Sequence, residues 1–87
     1  MFREDINKFI EKRLHEAITF GITMIGDSTI IVEGHKGIRS YHTYCIQIKI
    51  SNNYISIHGD NLKVEDINDA DIVVSGRIDK VVVHDEE

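Results

Sequence analysis

The residues of this chain best suited to metal or acid–base chemistry are its five histidines and its single cysteine. His35, His42 and His58 fall in or beside turn-like stretches, and Cys45 lies close to His42. A zinc site needs ligands at short, fixed spacings, such as C-x2-C or H-x3–5-H with a second pair. No such spacing occurs, so these histidines read as surface or turn residues, and no metal and no cofactor is expected. The acidic run Glu65-Asp66-Ile67-Asn68-Asp69-Ala70-Asp71 invites comparison with a calcium loop. Counted from Asp66, the fifth position is Ala70, the sixth is Asp71 and the twelfth is Arg77, where an EF-hand needs an oxygen ligand, a glycine and a glutamate. The run reads as a solvated turn.

Nucleophile-and-base arrangements are no stronger. Ser28, Ser40, Ser51, Ser56 and Ser75 lack a Gly-x-Ser-x-Gly elbow, and Cys45, within an apolar run, reads as an inert small hydrophobe. Gly34-His35-Lys36-Gly37 is too short to cradle a phosphate and has no helix after it. Tyr41, Tyr44 and Tyr54 have the type for a base-stacking platform, but the basic groove that goes with one is absent. No catalytic residue can be named, and the chain is not expected to be an enzyme.

The elements that would hold these residues fall into two classes. Residues 2–17 predict an amphipathic helix, with Phe2, Ile6, Phe9, Ile10, Leu14 and Ala17 on one stripe at steps of three and four. From Gly21 onward the period becomes two. Short strands are expected near 22–25, 29–33, 37–41, 44–50, 53–58, 61–65, 71–75 and 77–83. In the clearest, Tyr44, Ile46, Ile48 and Ile50 face one way and Cys45, Gln47 and Lys49 the other. Val81, Val82 and Val83 run together, which suits either a central strand or an edge buried by a second copy.

A weak repeat, apolar-x-apolar-x-Gly in outline, punctuates this region. It ends at Gly26, Gly34, Gly59 and Gly76. Glycine at such points supplies positive φ or a bulge, so the four read as structural turns at hairpin corners, not as rungs of a solenoid. The predicted fold is mainly β: a small curled antiparallel sheet (meander, roll or sandwich) with one N-terminal amphipathic helix. Either the helix stripe or the sheet itself covers the apolar face.

Composition bounds the rest. Eighty-seven residues make one domain, 1–87, and at this size self-association is a natural support. Apolar residues are 41% and charged residues 29%, too apolar for a disordered chain. Fifteen acidic against ten basic side chains give −5, a field that repels phosphate backbones and argues against nucleic acid. No run approaches the roughly 18–20 apolar residues of a membrane span, so no transmembrane segment is expected. One unpaired cysteine fits a reducing, intracellular setting.

The ordered series Ile22-Thr23-Met24-Ile25-Gly26, Val32-Glu33-Gly34-His35-Lys36-Gly37-Ile38 with Tyr41, Ile55-Ser56-Ile57-His58-Gly59-Asp60-Asn61-Leu62 with Val64, and Ile72-Val73-Val74-Ser75-Gly76-Arg77-Ile78 up to Val83 resembles the YabP/YqfC family of sporulation proteins, most closely its YqfC branch. The likeness covers about residues 21–83. It departs from the family at Phe20-Gly21, where members often carry a proline, and in a less basic leader. The resemblance implies a non-enzymatic assembly or adaptor protein of endospore formation, serving cortex or coat morphogenesis through protein–protein contacts. It implies placement in the mother-cell cytoplasm, at the forespore membrane surface if the partner is a membrane-bound sporulation protein. It carries no catalytic residues and no ligand. The competing expectations are a self-assembling β scaffold, a homo-oligomer built on the glycine-ended units, and a small-ligand or metal sensor using the region of His35, His42 and His58.

Overall fold

The computed structural model describes residues 20–85, which form six strands. They are β1 (Gly21–Ile25), β2 (Thr29–Glu33), β3 (Gly37–His42), β4 (Cys45–Lys49), β5 (Asn53–Ile67) and β6 (Asp71–Asp85). All pair antiparallel in one sheet of order β1-β2-β6-β5-β4-β3. The helix expected at 2–17 lies outside the described residues.

Period-two alternation sets the faces. Ile30 and Val32 of β2, and Ile46 and Ile48 of β4, are fully buried, while their chain neighbours Thr29, Ile31, Cys45 and Gln47 are half-buried. Ile55, Ile57, Ile72 and Val74 oppose them across the ladders, in pairs such as Ile46 with Ile57 and Ile30 with Val74. With Ile50, Leu62 and Ile78 they form one apolar cluster, against which Phe20, Ile22, Val64 and Val81 pack.

The sequence reading needs three corrections. The expected strands at 53–58 and 61–65 are one strand, β5, and those at 71–75 and 77–83 are one strand, β6. Gly59 and Gly76 therefore lie inside continuous strands, at register breaks, and only Gly26 and Gly34 lie at strand ends, with φ of 61° and 78°. Chain order is also not sheet order throughout. Strands β3 to β6 form a meander, but β2 pairs with β6, so β5 and β6 separate the two outer hairpins. Finally, Tyr44 is not in a strand with Ile46. It occupies the β3–β4 turn and is 63% exposed.

The sheet is curled. By register Tyr41 stands opposite Ile46, which stands opposite Ile57. Yet the Tyr41 hydroxyl accepts a hydrogen bond from the backbone N–H of Val64, 3.0 Å away and well along β5. A flat sheet would not allow that reach. The bend falls at the register breaks between His58 and Gly59 and between Asp60 and Lys63, since bulges sharpen local twist.

The bend has a two-fold pattern. The turn of the β3–β4 hairpin receives the N–H groups of Gly59 and Leu62 on the Tyr44 and Thr43 carbonyls. The turn of the β1–β2 hairpin receives those of Gly76 and Ile78 on the Ser28 and Asp27 carbonyls. A Cβ on Gly59 would overlap the Arg77 carbonyl oxygen, and a Cβ on Gly76 would lie 2.6 Å from that of Asn61. Each long strand thus carries one glycine where the other strand's backbone crosses it. The core follows suit: Ile30 corresponds to Ile46, Val32 to Ile48, Ile72 to Ile55, Val74 to Ile57 and Ile78 to Leu62.

Candidate functional site

The outer face of β3, β4, β5 and β6 gathers the most chemistry. Tyr54 and His84 pair across β5 and β6, and their rings stack with centroids 4.5 Å apart. The Arg39 guanidinium lies 3.8 Å from the centre of the Tyr54 ring, a cation–π contact. Arg39 reaches it from the register break between Ile38 and Ser40, where β3 bulges. Diagonally from His84, the Ser56 hydroxyl lies 2.8 Å from its Nε2.

A serine and a histidine in hydrogen-bond contact have the outline of a nucleophile and its base. Two features argue for a structural role. Ser56 is only 1% exposed, so its oxygen meets no substrate. Among the described residues no cleft or cavity opens onto it or anywhere else. The contact instead satisfies a hydroxyl that burial would otherwise leave without water, and no buried side-chain polar atom among the described residues lacks a partner.

A second row runs along the same face. His42 pairs with Cys45, and Cys45 with His58, so register sets three ligand-type residues side by side. Their side chains do not converge on a point that could hold an ion, and the same holds for every His, Cys, Asp and Glu group among the described residues. His42 instead stacks on Tyr44, with ring centroids 5.2 Å apart. Residues 42–44 thus form an exposed aromatic tip on the β3–β4 hairpin.

His35 is not part of that row. The backbone N–H of Gly37 donates to its Nδ1 over 2.9 Å, so the ring proton sits on Nε2, which donates to the Asn68 carbonyl at 2.7 Å. Alongside, the Gly34 N–H reaches the Ala70 carbonyl. His35 therefore ties the 34–36 connection to the β5–β6 turn. The acidic run ends in that turn: the Asn68 Oδ1 accepts the N–H groups of Ala70 and Asp71, closing a local cap.

The tyrosines do not form one platform either, since Tyr41 faces the bend, Tyr44 the solvent and Tyr54 the stack with His84. The sequence reading missed the Arg39–Tyr54–His84 stack and the Ser56–His84 contact. Tyr54 and Ser56 share a strand face by parity alone, but only the β5–β6 register brings His84 to them. No helix among the described residues is long and apolar enough to cross a membrane.

Among the described residues seven large apolar side chains are exposed: Met24 and Ile25 on β1, Ile38 and Tyr41 on β3, Tyr44 at the hairpin tip, and Ile67 and Val83 toward the ends of β5 and β6. Fold and surface together define a small antiparallel β module with free sheet edges and no recess for a substrate among its described residues. The chain belongs to the YabP family, whose match spans residues 17–87, and that family is associated with sporulation. No curated protein and no solved structure matches the chain.

Proposed function

We propose that this protein is a non-enzymatic assembly or adaptor component of endospore formation, acting in cortex or coat morphogenesis through protein contacts. The observation that carries this reading is that five of the seven exposed large apolar side chains among the described residues lie on the two edge strands or at the β3–β4 tip, on a domain with no cleft among those residues. Single exposed apolar residues are ordinary. Their concentration where backbone donors and acceptors are also unpaired is what strand-adding and edge-docking partners use. Membership of the YabP family supports the process. Assignment to the YqfC branch rests on the ordered residue series alone.

The partner is a protein, and a membrane-bound component at the forespore surface suits the reading. In a sporulating host, a tagged full-length copy is expected to concentrate around the developing spore. A copy that stays evenly diffuse through the mother cell during engulfment would contradict the assembly role.

A further inference from the structure

We infer that β1 pairs edge to edge with β1 of a second copy of this chain, across a two-fold axis at Thr23. The sheet has two outer strands, and they are not alike. β3 is protected as natural edges usually are: it bulges between Ile38 and Ser40 and carries a cationic side chain, Arg39. β1 has neither device. Its register with β2 is unbroken from Gly21 opposite Glu33 to Ile25 opposite Thr29. It is also the one strand of the six without a charged residue. Thr23, Met24 and Ile25 are exposed, the last two at 45% and 56%.

The occupant follows from the strand's own sequence. In a chain of net charge −5, most surfaces of two copies repel one another, whereas β1 brings no charged residue of its own to the pairing, and the Glu33 carboxylate of β2 lies beside Gly21 at its end. An antiparallel pair centred on Thr23 sets Ile22 beside Met24 of the other copy, extending the core-side apolar rows. On the outer face it sets Ile25 beside Gly21, a large side chain against a vacant one. At Gly21 the nearest atom a Cβ would meet is a Glu33 carboxylate oxygen at 3.6 Å, an ordinary van der Waals distance, so a side chain fits there beside Glu33 without overlap. Moving the pairing by one residue breaks both matches and turns core-facing side chains outward. The result is a continuous twelve-stranded sheet. A five-residue edge buries less than the roughly 1,200 Å² of a standard stable interface, so the dimer is concentration-dependent. The inference stands independently of the role in spore formation.

The test uses the full chain with Cys45 replaced by serine. Light scattering across a concentration series is expected to show the mass rising from one chain to two. Thr23→Pro and Met24→Lys should each hold the protein at one chain, with circular dichroism confirming the fold, while Ile38→Lys on β3 should not. Register is read separately. Thr23→Cys is expected to form a disulfide-linked dimer under mild oxidation, because paired Cα atoms lie about 4.5–5.5 Å apart. Ile25→Cys is expected not to, because its copies would lie about 14 Å apart along the strands. A chain that stays monomeric at every concentration overturns the inference, as does loss of the dimer in Ile38→Lys alone. Crosslinking of Ile25→Cys as readily as Thr23→Cys overturns the register.

Discussion

At Gly59 and Gly76 two long strands approach so closely that a side chain would meet backbone, and Gly76 also holds φ at 130°. Gly37 has a comparable φ of 119°, but nothing lies within 4 Å of its missing Cβ. The three positions separate crowding from strain. Gly59→Ala and Gly76→Ala are each expected to cost about 3 kcal/mol or more in urea unfolding, and Gly37→Ala about 1 kcal/mol. Equal costs at Gly37 and Gly59 would mean that the crossing is looser than described. The row of His42, Cys45 and His58 makes a prediction of the opposite kind. Excess zinc is expected to leave the melting temperature unchanged, because a metal bound to the native state must raise it. A clear rise would revive the sensor reading.

At the scale of elements, the β5–β6 hairpin organises everything else, since it pairs with β4 on one side and β2 on the other. Its turn is set by the Asn68 cap, and Asn68→Ala, which frees two N–H groups, is expected to cost about 1–2 kcal/mol by chemical denaturation. Much of this level was legible in the sequence. The alternation of Ile46, Ile48 and Ile50 against Gln47 and Lys49 marks β4 and its buried face, and Ser51-Asn52 marks the turn after it. The long strands were not legible, because a glycine bulge inside a strand and a glycine ending a strand look alike when read along the chain. Pairing of β2 with β6 was hidden for another reason. It joins residues about forty apart, and nothing local announces which distant strand completes a ladder. The same non-locality concealed the Ser56–His84 contact. The glycine repeat was real in part: Gly59 and Gly76 are structural equivalents, whereas Gly26 and Gly34 do different work.

At the scale of the whole described sheet, the two-fold pattern places the buried apolar core along the centre and leaves five of the seven exposed large apolar side chains on the outer strands and the β3–β4 tip. Amide exchange should follow this gradient. Amides of β5 and β6 near the crossing are expected to exchange at least about tenfold more slowly than those of the β3 edge. Uniform protection across the sheet would indicate that β3 is already covered within one chain. The proposed function rests on the same gradient, since it assigns protein contacts to the edges and no chemistry to the interior. The most direct test is complementation of a deletion strain, scored as heat-resistant spores, by three variants of confirmed fold and abundance. The account predicts that Met24→Lys combined with Tyr44→Asp, which alters β1 and the hairpin tip, loses complementation. It predicts that Ser56→Ala and His84→Phe, which dismantle the serine–histidine contact, retain it. Full complementation by the edge variant, with loss in Ser56→Ala, would contradict a contact role and return the protein to the class of enzymes.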